Sequence, residues 1–426
     1  MFINKVIYLF GCKKRNPSLF GQYKELKKTE KYSREKLQKL QMLKLQKLLE
    51  IAYNNTEYYR GMFDNLGLLP EDISNLDDLS KIPILEKKTI IEHGEKLRNF
   101  KIKDVFKSET SGSTGEPLIF YRNEKWESAG RAAQLRGYSW YGVKPWDRNG
   151  YLWGHLYGSK FQFKTRVLDM LLNRFRMFSY SPEDIKIFSK KLKKAKYIEG
   201  YSSMIYEVAK QINKGHDKPY KIKMVKGTSE KIFDSYQDEV SKAFGQKMIS
   251  EYGAAETSLI AFECPAGNMH VAMENVIVEV ENGEILVTNL NSFSMPIIRY
   301  KLGDSITLDR NKRCTCGMEH EIITDIVGRI GKNIYGVEGK YPSLTLYYIF
   351  KSLALKTGYS LSYQAIQHER GKLQLLFERV TNEDEKKSIL QECYNYFKDD
   401  ISVEICDEKL VRNHSKKFQD FVTDLN

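Results

Sequence analysis

Residues 197–256 read YIEGYSSMIYEVAKQINKGHDKPYKIKMVKGTSEKIFDSYQDEVSKAFGQKMISEYGAAE. The stretch predicts strand, helix, strand, helix and strand in turn, over Tyr197–Gly200, Ser203–Asn213, Lys221–Lys226, Phe233–Phe244 and Met248–Tyr252. Strands alternating with helices of roughly 10–15 residues make βαβ units and a largely parallel sheet. Such sheets hold ligands at the carboxyl ends of their strands. Glu251-Tyr252-Gly253-Ala254-Ala255-Glu256 falls there. A carboxylate in that place can hold Mg²⁺ against phosphates, although Glu256 alone also reads as a solvated loop acid.

Upstream, the spacing predicts a helix over Pro182–Lys196, a strand over Gly150–Gly154, a helix over Trp126–Tyr141 and a strand over Leu118–Tyr121. Before that strand stands Thr110–Pro117, TSGSTGEP. Its two glycines let backbone approach an anion, and its hydroxyls and N–H groups can donate to phosphate oxygens. It lacks the GxxxxGK[ST] pattern of a Walker loop, and by itself it is also a plain loop. Leucines from Leu37 to Leu49 recur at helical spacing, so Tyr23–Tyr59 reads as helical, and Lys87–Asn99 as a further helix. Phe2–Phe10 is apolar but half the length of a membrane span. It reads as a packed N-terminal helix or a short interfacial one touching lipid head groups.

Downstream, Val276–Glu281 and Glu284–Thr288 form a hairpin across Gly283, and Ser305–Asp309 adds a strand, giving a small β-rich subdomain. Arg299–Asp304 (RYKLGD) places an acid after a Gly turn, where it can accept both hydroxyls of a ribose. After Ile330 a new α+β unit begins, with a helix over Pro342–Leu355, a hairpin of Tyr363–His368 with Lys372–Glu378, and an amphipathic helix over Asp384–Lys398. Gly328–Ile334 (GRIGKNI) and Arg412–Phe418 (RNHSKKF) read in isolation as charged turns.

Cys264, His270, Cys314 and Cys316 make a C-x5-H and C-x-C-G pair of segments. Four such ligands suit tetrahedral Zn²⁺ in a closed, structural site. The same residues also read as two reduced hairpin cysteines, an unrelated Cys and an exposed His. The six cysteines do not form a disulfide framework, and the compartment expected is reducing and cytoplasmic. The 426 residues carry 68 basic and 55 acidic side chains, a net +13. That charge gathers in the first 50 residues and in Lys186–Lys196, which read as solvated helix faces. No RNA-recognition signature accompanies it, so a basic RNA-binding protein is a weak reading.

Taken in order, TSGSTGEP, EYGAAE, RYKLGD, GRIGKNI and RNHSKKF resemble the motifs of the adenylate-forming superfamily of acyl–coenzyme A ligases, adenylation domains and luciferases. The chain resembles in particular its phenylacetate–coenzyme A ligase-like proteins and the branch found in capsular polysaccharide biosynthesis, from about Tyr23 onward. The resemblance implies an α/β fold: a helical region over 1–100 packed on a large layered domain, an ATP- and acyl-binding core with a β-rich subdomain over 101–330, and a small mobile α+β domain over 331–426. It implies that Ser111, Gly112, Ser113, Thr114 and Gly115 cradle ATP phosphates and that Ser229 and Glu230 line the adenine. Tyr252, Gly253 and Arg329 join the nucleotide site, Glu256 holds Mg²⁺, Asp304 holds the ribose and Lys417 is catalytic. Some relatives carry a structural zinc where Cys264, His270, Cys314 and Cys316 stand. The implied reaction activates a carboxylic acid as acyl-adenylate, then passes the acyl group to coenzyme A or to an amine or hydroxyl, without nucleic acid and with peripheral membrane association left open. Three departures stand out: Lys416 where a Gly is usual, Gly331-Lys332 at a usually acidic hinge, and Glu116 where many relatives have Lys. They motivate the alternative of a catalytically impaired adenine-nucleotide-binding protein of the same fold. His155 is read either as approaching the acyl group or as structural.

Overall fold

The computed structural model describes residues 2–109, 118–152, 159–177, 182–215, 219–329, 333–357, 361–410 and 419–425. The chain opens with five helices: α1 (Phe2–Arg15), α2 (Leu19–Thr29), α3 (Arg34–Asn55), α4 (Glu57–Leu66) and α5 (Lys87–Leu97). The helical region expected over Tyr23–Tyr59 is thus made by α2, α3 and α4. Two side-chain caps break it. Ser33 accepts the N–H of Lys36, starting α3, and Thr56 accepts that of Tyr59 at 3.2 Å, ending α3 and starting α4. Buried Leu45, Leu48, Leu49, Tyr59 and Phe63 seat these helices on the core.

A hairpin of β1 (Phe106–Glu109) and β2 (Ile119–Arg122) follows, then α6 (Glu124–Trp140). Next come β3 (Asn149–Leu152), α7 (Ser159–Leu171), β4 (Arg174–Arg176), α8 (Pro182–Leu192), β5 (Tyr197–Tyr201), α9 (Ser202–Asn213), β6 (Met224–Thr228), α10 (Asp234–Phe244) and β7 (Met248–Ala254). β4, β3, β5, β6 and β7 run parallel, the expected βαβ core. Both faces are covered, so these strands read as buried runs.

The chain then turns antiparallel through β8 (Ser258–Glu263), β9 (Met269–Val271), β10 (Val276–Glu281), β11 (Glu284–Asn289), β12 (Tyr300–Asp309) and β13 (Ile322–Arg329). The expected β-rich part does not form a sheet of its own. It continues the parallel strands into one 11-stranded sheet, ordered β10-β11-β12-β13-β9-β8-β7-β6-β5-β3-β4. Residues from β8 to β13 bury a shared core that includes Ile260, Val271, Val278, Val287 and Ile306.

Past residue 332 come β14 (Asn333–Tyr335), β15 (Lys340–Pro342), α11 (Leu344–Thr357), β16 (Tyr363–Gln367), β17 (Lys372–Phe377), α12 (Glu383–Phe397), β18 (Ser402–Lys409) and β19 (Phe421–Thr423). Four of these strands make a separate sheet, β18-β17-β16-β19. This unit touches the large sheet's helices through Phe233 and Tyr363, whose rings lie edge-on 6.1 Å apart, and through Ser235 and Ser362, whose hydroxyls are 2.8 Å apart.

Candidate active site and metal centre

β7 delivers Glu251, Tyr252 and Gly253 to the carboxyl ends of the parallel strands. At Gly253 the strand crosses β8 so closely that a Cβ would stand 2.5 Å from the Ser258 carbonyl oxygen. Only glycine fits there without moving backbone. The turn that follows carries Glu256. It is held by Trp126, whose Nε1 donates to Ser258 Oγ at 3.0 Å, and by Asn289, whose Nδ2 donates to the Thr257 carbonyl at 3.3 Å. Tyr300 Oη donates to Glu256 Oε1 at 3.4 Å.

Asp304 was expected after a turn and stands instead inside β12. Lys301 pairs with Leu286 and Ser305 with Glu284, so β12 spends more residues than β11 over this interval. Gly303, at φ +84°, allows that irregularity, and such bulges re-aim a side chain. The Asp304 carboxylate accepts the Tyr252 hydroxyl at 2.7 Å. In sheet order β13, β9 and β8 separate these two strands, so the sheet curls to bring them together. The main chain of Arg329 pairs with that of Asp304. Tyr252, Glu256, Asp304 and the backbone of Arg329 thus come from four segments to one place. Arg299, within the same RYKLGD segment, is buried and structural: it binds Glu279 at 3.1 Å and Glu281 at 2.8 Å.

Ser229 and Glu230 follow β6, directly beside β7. Ser229 takes φ +65°. Glu230 Oε2 accepts the Ser203 N–H at 2.9 Å, so this carboxylate satisfies a free donor at the start of α9. Ser111, Gly112, Ser113, Thr114, Gly115, Glu116, His155, Gly331, Lys332, Lys416 and Lys417 lie outside the described residues.

Sequence reading missed a buried charge network behind these strands. Lys226 of β6, almost wholly buried, lies 3.1 Å from Glu199 of β5 and 2.9 Å from Glu251 of β7. Tyr138 donates to Glu199, and Gln134 donates to Glu251 at 3.0 Å. Burial acts to raise the Glu199 carboxyl, but Lys226 and Arg174 outweigh it and hold it below the ordinary value. Burial acts to lower Lys226, and Glu251 and Glu199 reverse that. A charged residue in the middle of a strand buried on both faces was the available signal.

The four metal-type residues do meet. Cys264 follows β8, His270 sits in β9, and Cys314 and Cys316 lie between β12 and β13. Their ligand atoms are all within 4.8 Å of one another. Cys264 Sγ is 3.6 Å from Cys314 Sγ, and Cys316 Sγ is 3.3 Å from His270 Nε2. Zn–S bonds of about 2.3 Å in a tetrahedron separate sulfurs by about 3.8 Å, so the set fits zinc. His270 is buried, not exposed. Burial brings its pKa down to about 4, leaving the neutral imidazole a metal needs. Burial likewise pushes the Cys316 thiol up to about 12, a state that a bound cation would reverse. Beside the cluster, buried Glu274 binds Arg136 at 2.6 Å, His320 at 3.2 Å and the Thr29 hydroxyl at 2.7 Å, tying it to α2 and α6.

No family model matches the chain. It is similar to Protein CapK of Staphylococcus aureus, 23% identical over 289 residues, covering 65% of this chain and 64% of that protein. The chain thus matches just under two thirds of that relative's length. It is similar to the phenylacetate-coenzyme A ligase of Thermus thermophilus, 23% identical over 337 residues, covering 68% and 71%. Among solved structures, 2-hydroxyisobutyryl-CoA ligase in the postadenylation state with R3-HIB-AMP aligns at a TM-score of 0.71 and 16% identity, covering 93% of this chain and 91% of that one. An open conformation of that ligase with 2-HIB-AMP and CoA aligns at 0.61 and 16% identity, covering 93% of each.

Proposed function

Because the chain has the fold of the adenylate-forming ligases and resembles their phenylacetate–coenzyme A ligase-like members, we propose that it is an ATP-dependent ligase activating a carboxylic acid. A substrate carboxylate oxygen attacks the α-phosphorus of ATP, the bond to the β-phosphate breaks, and pyrophosphate leaves. An acceptor then attacks the acyl carbon, its proton is lost and AMP departs. The acceptor is coenzyme A or an amine or hydroxyl on a sugar precursor; the second option fits a role in capsular or surface polysaccharide assembly.

The observation that carries this reading is the Tyr252–Asp304 hydrogen bond. It joins two segments far apart in sequence beside Glu256 and the Arg329 backbone, at the strand ends where open α/β sheets bind nucleotides. In this reading Asp304 receives the ribose hydroxyls and Tyr252 fixes its orientation. Ser229 and Glu230 border the adenine. Ser111, Gly112, Ser113, Thr114 and Gly115 donate to the phosphates. Glu256 holds Mg²⁺, which neutralises phosphate charge. Lys417 places a cation at the α-phosphate, where charge develops. Residues 331–426 form the moving unit. One ligase solved in two states fits this chain to different degrees, 0.71 and 0.61, at the same 93% coverage, which supports a fold whose parts shift. Cys264, His270, Cys314 and Cys316 would hold zinc as a structural ion, since a four-ligand site leaves no position for water.

ATP–pyrophosphate exchange screened over aryl acids, amino acids and uronic acids tests the reading. Exchange with one acid class, lost in Lys417→Ala, is expected. No exchange with any acid, together with a silent Lys417→Ala, would overturn it.

A further inference from the structure

Helix α1 buries no residue, unlike α2 to α5. One side of it rests on the molecule. Asn4 Nδ2 donates to the Leu171 carbonyl at 3.1 Å, and the Tyr8 ring lies 5.7 Å from that of Trp146. The other side presents Phe2, Ile3, Val6 and Phe10, with Phe2 79% and Phe10 72% exposed. Their spacing puts them in one stripe along the helix. At the end of α7, whose Leu171 carbonyl Asn4 meets, Leu168 and Met170 are also exposed. Contiguous apolar surface of this kind marks a docking face.

The charge beside it has one sign. α1 holds Lys5, Lys13, Lys14 and Arg15 and no acid. Lys13, Lys14 and Arg15 are exposed, and helical spacing puts Lys13 and Lys14 on the side of the apolar stripe at its carboxyl end. Lys5 and Lys144 both lie within 6 Å of the Trp146 ring, at 5.7 and 5.9 Å. The acid of α7, Asp169, is buried and held by Arg176 through two bonds of 2.5 and 2.7 Å. At 14 residues α1 is about 21 Å long, and no described helix is long and apolar enough to cross a membrane.

We propose that the α1–α7 face seats this protein on an anionic lipid bilayer. Phe2, Ile3, Val6 and Phe10 enter the headgroup–acyl boundary, and Lys13 and Lys14 meet the anionic headgroups. A second copy is a poor occupant, because it would bring two faces of like net charge together, α1 holding four cations and no acid. The inference does not depend on the reaction proposed above.

Flotation of the full chain with vesicles tests it. With vesicles containing phosphatidylglycerol, binding at least about tenfold stronger than to phosphatidylcholine alone is expected, weakening as salt is raised. Val6→Ser with Phe10→Ser should reduce binding by about tenfold or more, as should Lys13→Glu with Lys14→Glu, both with unchanged circular dichroism. Equal binding to both vesicle types, or wild-type binding by both variants, would overturn the proposal. So would a dimer in sizing experiments that Phe10→Ser converts to monomer, since the face would then belong to a second copy.

Discussion

Strand β8 has two ends that solve opposite problems. Its first residue, Ser258, supports the turn of Glu256, where side chains from separate strands converge at the carboxyl end of β7. Just past its last residue stands Cys264, where four ligand atoms close on one another. About 20 Å of strand joins them. The first end is held by hydrogen bonds and a buried ion network, each replaceable in part. The second has little apolar packing of its own, with Cys264, Cys314, Met318 and Ile322 as its cluster, and depends on what the ligands hold. In the proposed reading one end exchanges its contents and the other keeps a metal.

If that contrast is right, the largest effect belongs to Lys226. Lys226→Met removes the cation shared by buried Glu199 and half-buried Glu251, which should destabilise the chain by about 3–5 kcal/mol, read by urea denaturation. An unchanged midpoint would show that the site end is not braced this way. In the proposed reading Lys417→Ala should lower pyrophosphate exchange by about 100–1,000-fold with an unchanged melting temperature, since it removes charge stabilisation at the α-phosphate. Cys314→Ser should behave in the reverse sense, abolishing stoichiometric zinc and lowering the melting temperature while leaving exchange measurable at reduced temperature. Metal-free wild-type protein with the same stability would remove the metal from the comparison. Tyr252→Phe should be mildest, at about 0.5–1.5 kcal/mol, seen as a higher KM for ATP.

Acid should act at the metal end. Burial works to raise the Glu274 carboxyl, yet Arg136 and His320 hold it well below the ordinary value. A depressed folded-state pKa contributes stability that is fully present above the ordinary glutamate value of about 4.3 and is lost as pH falls toward the folded one. Calorimetry from pH 7 downward should show the melting temperature falling below about pH 4–5.

The βαβ core was legible because buried strands and amphipathic helices differ in period over Tyr197–Tyr252. The Cys264, His270, Cys314 and Cys316 cluster was legible because cysteine and histidine are few and chemically specific. α7 and β4 were not. α7 exposes Leu168 and Met170 while burying Asp169, which inverts the pattern that marks a helix in sequence. Lys226 and Glu199 were not singled out because their partners are known only once the sheet is assembled. The Tyr252–Asp304 contact needs the sheet to curl, and no local spacing encodes that.

The contact between Phe233 and Tyr363 carries a thermal consequence. Tyr363 is also stacked on Phe350, 3.9 Å away, so this aromatic seam lies where the carboxyl-terminal unit meets α10. If the proposed two-step reaction swings that unit away between its half-reactions, the seam becomes wet, and exposing apolar surface raises heat capacity. The acyl-transfer step would then have a curved temperature dependence that adenylation lacks. A protein working across a wide temperature range would feel that curvature in the balance between its two half-reactions.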